Sequence, residues 1–422
     1  MKSKTPTFLK YINFILILIL LIKIGGYFSI VEERSINQIF KTVSRIGMTV
    51  WIFFIYSKLK KHGCISTFEK DGLLAPLLYA LYLVLGFASF SWSTDPFYSA
   101  LQWAMTMESF VFTIIFIKVV VVINYHFPDK QIDLVKLFSW AIFPIMLIYL
   151  IGSFIEPDSF YRGMRGGEEK RLGGWIMNPN ELGMLASISA SLAYLYSQKE
   201  NKIFWPILFF FLSIVILVLT SSRSSAIGFI LILGILILKS KNVLLKRTMI
   251  AATFIIVPLF INFVILKDSG GIEEVMSMTG RLPFWKALLN EGIVREPFFG
   301  YGFMRINYTD YFQGLNTYPG KMTHNTFMQV LMNLGFVGFF IAIIQLSQTI
   351  RNFIVNKTNQ YNTFFIAILI PILINSFTEF GIFGEANYAI LFYHFLVLLF
   401  IFKIPSKLSK QDQLKLKLFK RK

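Results

Sequence analysis

Apolar runs of about twenty residues recur along nearly the whole chain, separated by short stretches that gather Lys, Arg, Gly and Pro. A helix needs roughly 20 apolar residues to cross about 30 Å of hydrocarbon. Windows of that kind fall at 11–30, 38–57, 73–91, 98–117, 134–155, 178–197, 203–219, 224–238, 248–266, 325–350, 361–380 and 386–402. The pattern predicts an all-α integral membrane protein of about twelve transmembrane helices, a single polytopic domain over 1–422. The seventh and eighth windows are short and meet at TSSRSS, residues 220–225. The first window follows Lys2, Lys4 and Lys10 as a signal peptide would, but it has no small-residue cleavage site and a second span follows directly. It reads as a retained helix.

Composition agrees: 55% of residues are hydrophobic, 17% aromatic, and the mean hydropathy is +0.62, far above a soluble domain. The single cysteine, Cys64, allows no internal disulfide, and the four histidines are too scattered to suggest a metal site. Loops that stay in the cytoplasm are enriched in Lys and Arg. With the N-terminus inside, the inner segments carry 26 of the 41 Lys and Arg, and the outer segments 14. Both termini are therefore expected in the cytoplasm. The net charge of +18 then belongs to membrane edges and to the basic tail 403–422, whose expected partners are membrane lipids with anionic headgroups. Nucleic-acid binding is excluded as the reason for the charge.

The outer side is still more basic than the rule favours. The loop 156–177 holds Arg162, Arg165, Lys170 and Arg171 among glycines. The large loop 267–323, between the ninth and tenth spans, holds Arg281 and Lys321 among its six cations. An anionic substrate on that side is the simplest explanation. Arg223 lies there too, flanked by Ser221, Ser222, Ser224 and Ser225. Arginine stays charged and offers a planar fork matched to phosphate oxygens, although a snorkelling arginine anchoring a helix end would look the same.

Within the large loop, MTGRLPFWKALLNEG predicts a helix with Thr279 as N-cap, Pro283 in its first turn and an end at Gly292. Arg281 stands at its start, where the helix dipole also favours an anion. An interfacial helix merely packed on the bundle is the alternative. PFFGYGF (297–303) reads as a tight aromatic turn suited equally to a sugar or to packing. His324 and Asn325 precede the tenth span. Histidine can take the proton of an attacking hydroxyl, and it can also serve as a plain cap residue. Lys23 and Glu108 are the main candidates for buried charge in the early spans.

At these residues the chain resembles the bacterial O-antigen ligase and O-antigen polymerase superfamily. The similarity is carried by RLGGWIMNPNELGMLA (171–186), TSSRSS (220–225), GRLPFWKALL with EPFFGYGF (280–303) and THNTFMQVLMNLGFVGFF (323–340), in the family's order. The resemblance implies a fold similar to polyprenyl-phosphate-sugar glycosyltransferases of the GT-C type. It implies a metal-independent transferase, with no cofactor, in the bacterial cytoplasmic (inner) membrane. The donor would be an undecaprenyl-pyrophosphate-linked oligosaccharide at the outer face, the acceptor another glycan or lipid A core, and a chain-length regulator a further partner.

Carried over residue by residue, His324 matches the general base, and Arg223 and Arg281 the two conserved-pattern arginines of the catalytic set. Arg171 and Asn180 match the R…NPN block, with Arg165, Lys321 and Asn325 as further substrate-binding candidates. Glu379, in NSFTEFG, would orient the site. PNELG departs from the pattern, placing Glu181 and Gly183 where small or apolar residues are usual. The motifs do not separate polymerase from ligase, and surface-polysaccharide polymerisation is the primary expectation. A transporter of lipid-linked sugars is a further alternative, but its charges belong near the midplane on broken helices, whereas the polar cluster here maps to one face.

Overall fold

The computed structural model describes residues 7–29, 33–61, 72–164, 169–199, 202–239, 281–303, 306, 323–356, 361–379 and 381–401, with Val243, Arg247, Ala251 and Phe254 between them. The ninth expected span, the N-cap at Thr279, the tail 403–422, and the candidates Arg165 and Lys321 lie outside the described residues.

Eleven of the twelve predicted windows coincide with helices. They are α1 (Ile12–Gly25), α2 (Arg34–Lys61), α3 (Leu74–Ala88), α4 (Pro96–His126), α5 (Leu134–Ile155), α7 (Pro179–Ser197), α8 (Phe204–Leu219), α9 (Arg223–Lys239), α11 (Thr326–Val355), α12 (Asn362–Ser376) and α13 (Tyr388–Leu398). Short helices α6 (Pro157–Phe160) and α10 (Arg281–Ala287) belong to connecting segments. Six helical segments among the described residues are long and apolar enough to cross a membrane, and α8, α12 and α13 are shorter apolar helices. The helix starts are encoded locally. Asp95, Asp133, Asn178, Asn325 and Asn387 each cap a following helix by accepting from its first free N–H groups.

Helix α7 sits at the centre, packed on α5, α8, α9 and α12. It is buried along nearly its whole length, and its run of Ser and Ala lets neighbours approach closely. Ser213 of α8 donates to Ser189 Oγ at 2.8 Å, and Ser191 donates to the carbonyl of Ser187. Ser191 and Ser213 thus satisfy their hydroxyls inside the bundle. The basic loop 156–177 holds an antiparallel pair, β1 (Tyr161–Met164) and β2 (Glu169–Leu172), in which Arg162 faces Arg171.

Helix α11 is broken at Gly335, where φ is 61° and ψ is −163°. The segment 297–303 fills the break. Tyr301 N and Gly302 N donate to the carbonyls of Met332 and Asn333, while Phe336 N and Val337 N donate to the carbonyls of Pro297 and Phe298. Four backbone groups of α11 at the break are thus re-paired, as burial in an apolar medium favours. Part of PFFGYGF packs: Tyr301 and Phe303 are buried and Phe303 N donates to Ser89 Oγ, whereas Phe298 and Phe299 are exposed.

Candidate functional site

The predicted polar residues gather at one end of the bundle because five chain segments end or begin there. Arg171 closes β2, Asn180 lies in the first turn of α7, Arg223 opens α9, His324 precedes α11, and Glu379 lies just past α12. The expected helix of the large loop begins at Arg281 and runs to Ala287. It then widens into a π-helical turn, Leu288–Ile293, which passes through Gly292 where an end was expected. Phe284, Leu288 and Ile293 pack with Tyr301, Leu331 and Met332 in a small separate core. That core locks α10 to the outer segment of α11, and Trp285 adds a 2.6 Å bond from its indole N–H to the Thr323 carbonyl. Arg281 and His324 are held together by this packing.

Both converge on one carboxylate. Glu379 is 4% exposed. Its Oε1 accepts from Arg281 Nη2 at 3.2 Å and from Asn180 Nδ2 at 2.6 Å, and its Oε2 lies 2.9 Å from His324 Nδ1. Arg281 Nη1 also donates to the Thr378 carbonyl at 2.6 Å. Burial pushes the Glu379 carboxyl up, but His324, Arg281 and Asn180 together outweigh that and hold it below its usual range. An ionised Glu379 accepts only, so Nδ1 of His324 carries the proton and Nε2 is left as the basic nitrogen. Arg281 Nε is buried and has no partner among the described residues. A guanidinium with an orphaned donor is equipped for one more anionic oxygen.

The serine knot joins the same network from the other side. Arg171 Nε donates to the Thr220 carbonyl at 2.8 Å and its Nη2 to Asn180 Oδ1 at 2.7 Å. Ser225 donates to the Asn180 carbonyl and to Asn375 Oδ1, and Ser224 donates to Asn375 Oδ1. Arg223, the first residue of α9, is partly buried. Gly183 explains the departure at PNELG in part: a Cβ there would sit 2.7 Å from Ser222 Cβ and 2.8 Å from Thr220 Oγ1. The knot can close on α7 only over a glycine. Ser221 and His324 both have φ of 49°, the two non-glycine residues at positive φ among the described residues. Strain of this kind, costing about 1–3 kcal/mol each, persists where the surroundings over-determine it and concentrates at functional sites.

Asn325 caps a helix. It is buried, its Oδ1 accepts from Phe327 N and Met328 N, and its Nδ2 donates to the Phe377 carbonyl. It fixes the start of α11 and thereby the position of His324. Glu379 is the residue whose importance was least legible in advance, because its carboxylate partners Asn180, Arg281 and His324 come from three separate segments. Among the described residues no group of His, Cys, Asp and Glu is arranged to hold a metal ion.

No curated protein matches the chain. Residues 208–343 match the family model described as O-antigen ligase, a span that contains Arg223, Arg281 and His324 but not Arg171, Asn180 or Glu379. The match indicates ligase-like or polymerase-like glycan transfer, and several long apolar helices indicate an integral membrane protein. Over that segment the chain is similar to the O-antigen ligase family.

Proposed function

We propose that this protein polymerises undecaprenyl-pyrophosphate-linked oligosaccharide repeat units at the outer face of the bacterial inner membrane. Its product would be O-antigen, capsule or a related surface polysaccharide. The observation that carries the reading is the shared carboxylate: Glu379 holds a base, His324, and a cation, Arg281, 2.9 and 3.2 Å from its two oxygens.

In the proposed reaction the acceptor hydroxyl gives its proton to His324 Nε2 as its oxygen attacks the anomeric carbon of the donor. The bond from that carbon to the pyrophosphate oxygen breaks, and the electron pair leaves with the pyrophosphate. Charge develops on the leaving group, where Arg281, through its orphaned Nε, and Arg223 would stabilise it. Arg171 and Asn180 act as positioning residues, tying the serine knot to Glu379. Arg165 and Lys321 are proposed as further contacts to the anionic substrate, and a chain-length regulator as a partner. Ligation to lipid A core uses the same chemistry with another acceptor.

The experiment is to incubate the purified protein with its lipid-linked repeat unit and no other acceptor, beside a His324→Ala control, and to resolve the products by size. A ladder lost in the variant is expected. Product formed only when lipid A core is added would make the protein a ligase, and no transfer to either acceptor would sink the reading.

A further inference from the structure

A second group of polar side chains lies beside the site on the same end of the bundle, and the reaction above leaves it unused. Glu385 belongs to the same loop as Glu379, between α12 and α13, and its Oε1 accepts from the Tyr98 hydroxyl at 2.8 Å. Glu181 follows Asn180 directly. Both carboxylates are only partly buried, and both lie close enough to Lys41 to act on its charge. Lys41 donates to Ser29 Oγ at 3.1 Å, and Ser29 N donates to the Ile176 carbonyl at 3.0 Å, which brings the exposed indole of Trp175 to the same rim. Beneath them Tyr149 is 2% exposed and its hydroxyl finds no partner among the described residues, although it lies within electrostatic reach of Glu181.

This set differs in kind from the neighbouring one. The site around Glu379 presents guanidinium groups and suits phosphate. Here two carboxylates, one ammonium, two phenols and an exposed indole offer hydrogen bonds of both senses and a flat apolar plate. Carboxylates bind hydroxyl groups through charge-assisted bonds, and an indole covers the apolar face of a ring while keeping water from it. Two negative charges also repel pyrophosphate, so a ligand with both a sugar end and a phosphate end is oriented by the pair of sites. A buried tyrosine hydroxyl lacking a protein partner is the kind of group that a ligand hydroxyl completes.

We infer that Lys41, Tyr98, Tyr149, Trp175, Glu181 and Glu385 form a saccharide-binding subsite that holds the sugar end of the acceptor next to His324. The inference rests on the transferase reading for the word acceptor; the binding itself does not depend on it.

The probe is the lipid-free repeat-unit oligosaccharide released from the producing cell's own surface glycan, titrated into the full-length protein in detergent. Glu385→Gln and Trp175→Ala are each expected to weaken its binding at least tenfold while inorganic pyrophosphate binds as before. Arg281→Ala is expected to do the reverse. Retained pyrophosphate binding shows that a variant is folded, and Tyr98→Phe, which removes one hydroxyl, gives a milder second test. With saturating lipid-linked donor and the oligosaccharide as acceptor, Glu385→Gln should raise the acceptor KM about tenfold and leave the donor KM alone. A rise in the donor KM instead would assign the subsite to the donor's own sugars and overturn the acceptor assignment. Saccharide binding that ignores both variants would overturn the subsite, whereas saccharide binding without any transfer would leave it standing and remove the transferase reading.

Discussion

Nδ1 of His324 stands 2.9 Å from Oε2 of Glu379, a residue 55 positions later in the chain and 4% exposed. The carboxylate fixes the tautomer in which Nε2 is the basic nitrogen. Glu379→Gln keeps the shape but removes the charge and offers an amide N–H where an acceptor stood. Loss of transfer rate by about 100-fold is expected, the lower end of what a positioned general base supplies. Initial rates at saturating donor read it, and Glu379→Asp should recover part of the loss. Rates unchanged by the amide would mean that Glu379 merely packs.

The same carboxylate sets an acid limit. Its value in the folded protein lies below the usual 4.5, burial being outweighed by His324, Arg281 and Asn180. A lowered folded value gives stability that is fully present above the unfolded value and is lost as pH falls through the folded one. Glu379 should therefore stay ionised through the neutral range and contribute no pH dependence there. Below about pH 4.5 the unfolding midpoint should drop, and in Glu379→Gln that part of the drop should vanish. Midpoints of thermal unfolding in detergent across the acid range measure both.

Much of this architecture was legible in hydropathy alone, because the need for about twenty apolar residues per span is strict. Eleven windows became helices close to their expected limits. Helix α7 is less apolar than its neighbours, since its Ser and Ala serve close packing and dilute its hydropathy. Local signals marked the serine knot and a helix in the large loop near Arg281. What no local signal carried was the meeting of Asn180, Arg281 and His324 on Glu379, between 55 and 199 positions away in the chain, with Arg171 joined to them through Asn180. The role of PFFGYGF was equally hidden. A tight aromatic turn looks the same in sequence whether it meets a sugar or plugs a broken helix.

That plug makes a sharp prediction at Gly335. Its φ of 61° with ψ of −163° falls in a region open essentially to glycine alone, and a Cβ would lie 2.3 Å from the Phe298 backbone. Gly335→Ala should cost at least about 1–3 kcal/mol from backbone strain alone. It should also expel segment 297–303 from the break and loosen the small core behind Arg281 and His324. A lower unfolding midpoint together with a lower transfer rate is expected, and Gly234→Ala, where a Cβ meets nothing within 4 Å, serves as the neutral comparison.

Lys23 and Glu108, suspected from sequence as buried charges, form an ion pair inside the bundle. Lys23 is fully buried and donates to Glu108 and to Thr49, and Glu108 also accepts from Thr49, so the pair binds α1, α2 and α4 together. Breaking a buried pair from one side strands the remaining charge at a cost of roughly 3–5 kcal/mol, whereas replacing both partners with neutral groups costs far less. Lys23→Met should therefore sharply lower the yield of folded protein and its unfolding midpoint. Adding Glu108→Gln should restore most of both, because the stranded carboxylate is gone. A double-mutant cycle on the midpoints decides the matter. Additive losses would show that the two side chains act separately, and a large recovery that their worth lies in mutual neutralisation.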